Sequence, residues 1–114
     1  MLTIDKLKAF GANAQEGLSR CLNNEDFYLK LVNKAVSDAG FERLKTAIES
    51  GDYNEAFEAA HGLKGILGNL SLTPIYEPTA KITELLRGGN DTDYTPLLNE
   101  IITARETLIK LCGE

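Results

Sequence analysis

One segment concentrates the residues of this chain that are able to do chemistry: Ala59-Ala60-His61-Gly62-Leu63-Lys64-Gly65-Ile66-Leu67-Gly68-Asn69-Leu70. It holds the single histidine of the protein, a lysine three residues on, and three glycines spaced by three. On a helix turning about 100° per residue, Ala56, Ala59, Ala60, Leu63, Ile66, Leu67 and Leu70 collect in one arc roughly 120° wide, a core-facing stripe. His61 falls opposite that stripe and is expected to face water or a partner. Phe57 and Lys64 share its face, and Gly65 and Gly68 flank it one and two turns on.

Glycine inside a helix costs about 0.5–1 kcal/mol relative to alanine, so three in seven residues weaken this helix by roughly 2–3 kcal/mol. Core packing does not account for Gly65 and Gly68 on the polar side of the wheel. A bare surface around a histidine does, because another molecule's backbone can then come close to the imidazole. An imidazole nitrogen with a free lone pair is a nucleophile. A side chain at i+3 lies beside the one at i, so the Lys64 ammonium can reach an anion held on His61. A nucleophile, a nearby cation and a steric clearing are the parts of a reversible phosphoryl acceptor.

His61-Gly62-Leu63-Lys64-Gly65, followed by Gly68-Asn69-Leu70, resembles the site helix of histidine-containing phosphotransfer (HPt) domains, an apolar helix bearing His-x-x-Lys-Gly. The likeness runs from about residue 24 to residue 86 and more loosely into the C-terminal segment. It implies a phosphorelay intermediate of two-component signalling. His61 would accept a phosphoryl group from an aspartate of a receiver domain and give it back, with Lys64 stabilising the phosphoryl oxygens. Gly65 would let the receiver approach; Gly68 would do the same or permit close helix packing; Phe57 would be a docking contact or a ring shielded by the preceding helix, and Asn69 a weaker contact. Many relatives carry a glutamine on the next helix, facing the phosphorylated ring. Counted without gaps, that place is Thr83, whose hydroxyl reaches less far. Lys81 and Arg87 are the other candidates there, against the plainer reading of solvated charges. The implied partners are a response-regulator receiver domain, a hybrid sensor histidine kinase, or both. No cofactor is expected on this chain; the magnesium would belong to the receiver. Two alternatives stay open: the acceptor domain of a chemotaxis-type histidine kinase, and a helical adaptor whose His61 is never modified.

Composition bounds these readings. The 114 residues suit one domain with a real core, and 43% hydrophobic residues favour folding over disorder. A formal charge of −5 argues against nucleic acid, which is bound by basic faces. No apolar run approaches the roughly 20 residues needed to span a bilayer, and the N-terminus lacks the form of a signal peptide, so a cytoplasmic protein is expected. Cys21 and Cys112 read as small apolar residues without a disulfide, and no ligand spacing for a metal is present. No P-loop appears, so a carrier without its own kinase activity is expected. An exposed transfer site favours a monomer.

The remaining segments must position that helix. Thr3 begins a short helix ending at Gly11, and residues 14–22 form another turn or two, which together make an N-terminal cap over 1–22. Asn23-Asn24 caps a segment with Phe27, Leu31, Ala35, Leu44 and Ile48 at core spacing, kinked or split near Gly40. Gly51 ends it, and Asp52 caps the central helix at about 53–70. Thr73 is expected as the next N-cap with Pro74 at the first helical position; Pro78 then suggests a short turn before a main helix at about 77–86. Residues 88–91 form a loop. The last helix begins near Tyr94-Thr95-Pro96, with Leu97, Ile101, Leu108 and Leu111 on one stripe widened by Ile102 and Ile109. Four amphipathic segments with short connections imply an all-α fold, an antiparallel up-down four-helix bundle over about 24–112 with one or two short extra N-terminal helices.

Overall fold

Among the described residues of the computed structural model, seven helices follow one another: α1 Ile4–Phe10, α2 Ala14–Arg20, α3 Glu25–Ala35, α4 Gly40–Ser50, α5 Tyr53–Asn69, α6 Thr73–Arg87 and α7 Thr95–Gly113. The structure describes residues 1–89 and 91–113; Asn90, in the expected loop, and Glu114 lie outside the described residues. Among the described residues, four N-cap side chains accept a backbone N–H of the helix they open: Thr3 for α1, Asn13 for α2, Asn24 for α3 and Asp52 for α5. Gly11 and Gly51 close α1 and α4 in the left-handed region, at φ 107° and 76°, which a side chain would disfavour.

The long segment around Gly40 is split. α3 stops at Ala35, and the Asp38 carboxylate accepts the Gly40 N–H at 2.7 Å where α4 begins. Gly40 has a packing role there: a Cβ would lie 3.0 Å from the Leu63 side chain on α5. Arg105 of α7 donates to the Val36 carbonyl at 2.8 Å and stacks its guanidinium 4.6 Å from the Phe41 ring centre, tying the break to the last helix.

The bundle is all-helical. α4 packs on α5, α5 on α6 and α6 on α7, and α7 closes back on α4. The predicted apolar face of α5 is buried as expected, except for Ile66, which is half-buried. Two expectations for α6 are corrected. It is one continuous helix across Pro78, because Ile75, Thr79, Ile82, Thr83 and Leu86 form a single unbroken buried stripe with the proline ring among them. That burial outweighs the one backbone bond Pro78 cannot donate, to the Pro74 carbonyl. The N-cap is Leu72, not Thr73, and Pro74 is the second helical residue. The Leu72 carbonyl already accepts from Ile75 and Tyr76 at 3.0 and 2.8 Å, so the helix begins one residue early. In α7 the buried line is Leu98, Ile101 and Leu108, with Tyr94 buried just before the helix. Leu97, Ile102 and Leu111 are half-buried at its edges, and Ile109 is exposed.

The turn joining α5 to α6 is where the N-terminal helices attach. The Arg20 guanidinium donates to the Gly68 and Asn69 carbonyls and to the Ser71 hydroxyl, at 3.0, 3.2 and 2.7 Å. The Tyr28 hydroxyl donates to the Leu70 carbonyl at 2.7 Å, and the Asn13 N–H donates to the Ser71 carbonyl at 3.0 Å. The last carbonyls of a helix have no partners within it; here residues from the N-terminal segments supply them. Burial pushes the Tyr28 phenol up to about 12, with the neighbouring Cys21 adding to the rise and Arg20 opposing it. Neither Cys21 nor Cys112 is in a disulfide.

Candidate functional site

His61 is exposed in the middle of the outer face of α5. Residues 56, 59, 60, 63 and 67 face the core, which fixes the rotation of the helix and turns His61 away from it. Its ring stacks on Phe57, one turn earlier, with ring centres 5.7 Å apart and planes 15° from parallel. Phe57 is half-buried, and what covers it comes from α6: the Arg87 guanidinium lies 5.1 Å from its ring centre. The imidazole thus lies against an aromatic neighbour, with a cation beyond that neighbour.

Lys64 lies one turn after His61, with its side chain 30% exposed. Its ammonium sits 3.7 Å from one oxygen of Glu84 on α6, and the other Glu84 oxygen is 3.5 Å from Arg87 Nε. A carboxylate and two cations therefore line the α6 side of the site.

On the other side, past the exposed Glu58, the helix surface has a clearing. A Cβ added at Gly62 or Gly65 would meet nothing within 4 Å, so both positions are open to an approaching molecule. Gly68 differs. A Cβ there would lie 3.0 Å from the Tyr76 ring of α6, so its missing side chain serves the packing of two helices of this chain and not a docking clearance. Asn69 is exposed at the end of the same face, beside a groove lined by Leu31, Lys34, Ala35, Asp38, Ile66 and Leu70.

The structure does not bring Thr83 to the imidazole. Thr83 is fully buried, and its hydroxyl donates to the Thr79 carbonyl at 2.6 Å, the usual recourse of a threonine on the inner face of a helix. Gap-free counting pointed there, but the residue is on the core stripe. The residues of α6 that face the site are Glu84 and Arg87. Arg87 was among the sequence candidates and Glu84 was not. The signal was available: once Ile75, Ile82 and Leu86 are taken as the buried face, Thr79 and Thr83 fall on it and residue 84 falls outside. Lys81 is exposed and belongs to no ion pair found among the described residues.

Among the described residues, no group of three or more His, Cys, Asp or Glu side chains is placed to hold a metal ion, and no helix is long and apolar enough to cross a membrane. What the face offers is an exposed imidazole stacked on an aromatic ring, a lysine one turn on, and two open glycine positions. No curated protein and no solved structure matches the chain. The family model for the Hpt domain matches residues 35–111, about two thirds of the sequence, and spans α4, α5 and α6 and most of α7. An exposed histidine on a glycine-cleared helix, inside a bundle whose sequence fits that model, places the chain in the Hpt domain family.

Proposed function

We propose that this protein is a phosphorelay intermediate in which His61 takes a phosphoryl group from a receiver-domain aspartate and returns it to one. Hpt domains serve phosphotransfer in two-component signalling and act as phosphocarriers, not kinases. The observation that carries the finer reading is the placement of His61 at the centre of an exposed helix face whose neighbours Gly62 and Gly65 leave open space.

In the forward step a lone pair on an imidazole nitrogen attacks the phosphorus of the aspartyl phosphate. The new N–P bond forms as the P–O bond to the aspartate breaks, and the bonding pair leaves on the carboxylate. The proton on the second ring nitrogen stays on the ring or passes to water. Return transfer is the same displacement reversed. Lys64 supplies positive charge for the oxygens that carry charge in the transition state. Stacking on Phe57 limits the positions the ring can take while the donor approaches. The receiver contributes its acidic pocket and magnesium, and this chain contributes the acceptor and its clearing. A hybrid sensor kinase or a response regulator carries such a receiver, and the exposed face suits a monomer docking to either.

The test is transfer from a panel of phosphorylated receiver domains with magnesium present. Acid-labile, base-stable label on the wild-type chain is expected, and none on His61→Gln. Equal labelling of the two proteins would refute the assignment of His61.

A further inference from the structure

The two cations on the α6 side of His61 are not idle. Both are held by one carboxylate, with Glu84 Oε1 3.7 Å from Lys64 Nζ and Oε2 3.5 Å from Arg87 Nε. We propose that Glu84, anchored by Arg87, is a stand-in for the phosphoryl group: it holds Lys64 while His61 is bare and gives it up when His61 is phosphorylated. The proposal rests on the reading of His61 as the acceptor.

The geometry favours exchange over a fixed bridge. Both separations exceed those of a good charge-assisted hydrogen bond. The Glu84 side chain is 59% exposed, where ion pairs are weak and easily traded. Arg87 is three residues after Glu84 on the same helix and lies over the Phe57 ring, so it stays beside the carboxylate whichever anion Lys64 takes. Lys64 is on the other helix, three residues after His61, and has a choice of anions once the imidazole carries one. A carboxylate brings one negative charge to that competition, and a phosphoryl group brings about 1.5–2. Glu84 therefore acts as a positioning residue: it keeps the lysine folded against α6 and makes the phosphoryl group compete for it.

The test uses phosphoramidate, which needs no partner protein. The imidazole nitrogen attacks its phosphorus, the P–N bond to the amine breaks, and ammonia leaves with a proton from solvent. Initial labelling rates are compared at low ionic strength for wild type, Glu84→Gln, Lys64→Ala and the double variant, with thermal unfolding as the check on folding. Glu84→Gln is expected to label about two- to fivefold faster, the factor available from one exposed ion pair. The gain should vanish in the Lys64→Ala background and shrink in high salt. Equal rates for wild type and Glu84→Gln would overturn the proposal. So would an equal gain in both backgrounds, which would mean simple repulsion between Glu84 and the donor. Absence of label on folded wild type, or label persisting in His61→Gln, would instead refute the acceptor reading and the proposal with it.

Discussion

Two sets of glycines in this bundle look alike in the sequence and are opposites in the structure. At Gly17 an added Cβ would lie 2.5 Å from the Tyr28 hydroxyl oxygen and 2.6 Å from its ring carbons, and at Gly40 it would press on Leu63. Those spaces are filled by the molecule itself. At Gly62 and Gly65 a Cβ would touch nothing. Glycine there gives up helix stability and gains no internal contact, which is what the proposed docking of a receiver domain would use. Gly68 stands between the sets: it is on the site helix but is occupied by Tyr76. The surroundings of a glycine, and not the glycine itself, separate internal packing from open surface.

The contrast can be broken at several points. The largest effect on stability is expected at Gly17. Gly17→Ala drives a methyl group into a buried tyrosine and should cost about 1–3 kcal/mol in urea unfolding. A neutral or stabilising result would show that the α2–α3 contact is loose. Tyr28→Phe comes next, with a loss of about 1–2 kcal/mol from the unpaired Leu70 carbonyl. The same tyrosine gives a pH signature. Its folded value is raised to about 12 against about 10 for an unfolded phenol, so its contribution is complete below pH 10. As pH rises from about 10 to about 12 the unfolded chain loses the proton first, and stability falls. Urea midpoints at about pH 8 and about pH 11 should therefore converge in Tyr28→Phe relative to wild type.

Gly65→Ala should move the other way, raising stability by up to about 1 kcal/mol through helix propensity. It should also slow transfer from a phosphorylated receiver while leaving phosphoramidate labelling unchanged, because only the large donor needs the clearing. Loss of both activities would place Gly65 in the chemistry and not in docking. The smallest change is expected for Gly68→Ala, where the gain in propensity and the crowding of Tyr76 nearly cancel, within about 1 kcal/mol of zero.

The readable parts of the fold were those with local chemical markers. Gly11, Gly51, Asn24 and Asp52 announce their helix ends, and the α5 stripe announces its buried face. What misled was local chemistry overridden at a distance. Pro78 is a helix breaker that the core stripe of α6 carries through. Thr83 is polar by type but internal by position, because its hydroxyl can be satisfied within its own helix. His61, Lys64 and Gly65 were legible because residues on one helix share a face by arithmetic. Glu84 was not, because its relation to Lys64 depends on how α6 is rotated against α5, and no spacing within either helix contains that.

The turn after the site helix has a consequence for where this protein can be cut. Its carbonyls are served by Asn13, Arg20 and Tyr28, all of which precede residue 35, where the family pattern begins. The inherited pattern and the cooperative unit therefore have different borders. A fragment trimmed to the shared pattern would keep His61 and its neighbours but leave the last turn of their helix to fray, with Leu70 and Leu72 exposed beside it. Whatever the first 34 residues contribute to recognition, they anchor the far end of the helix that carries His61.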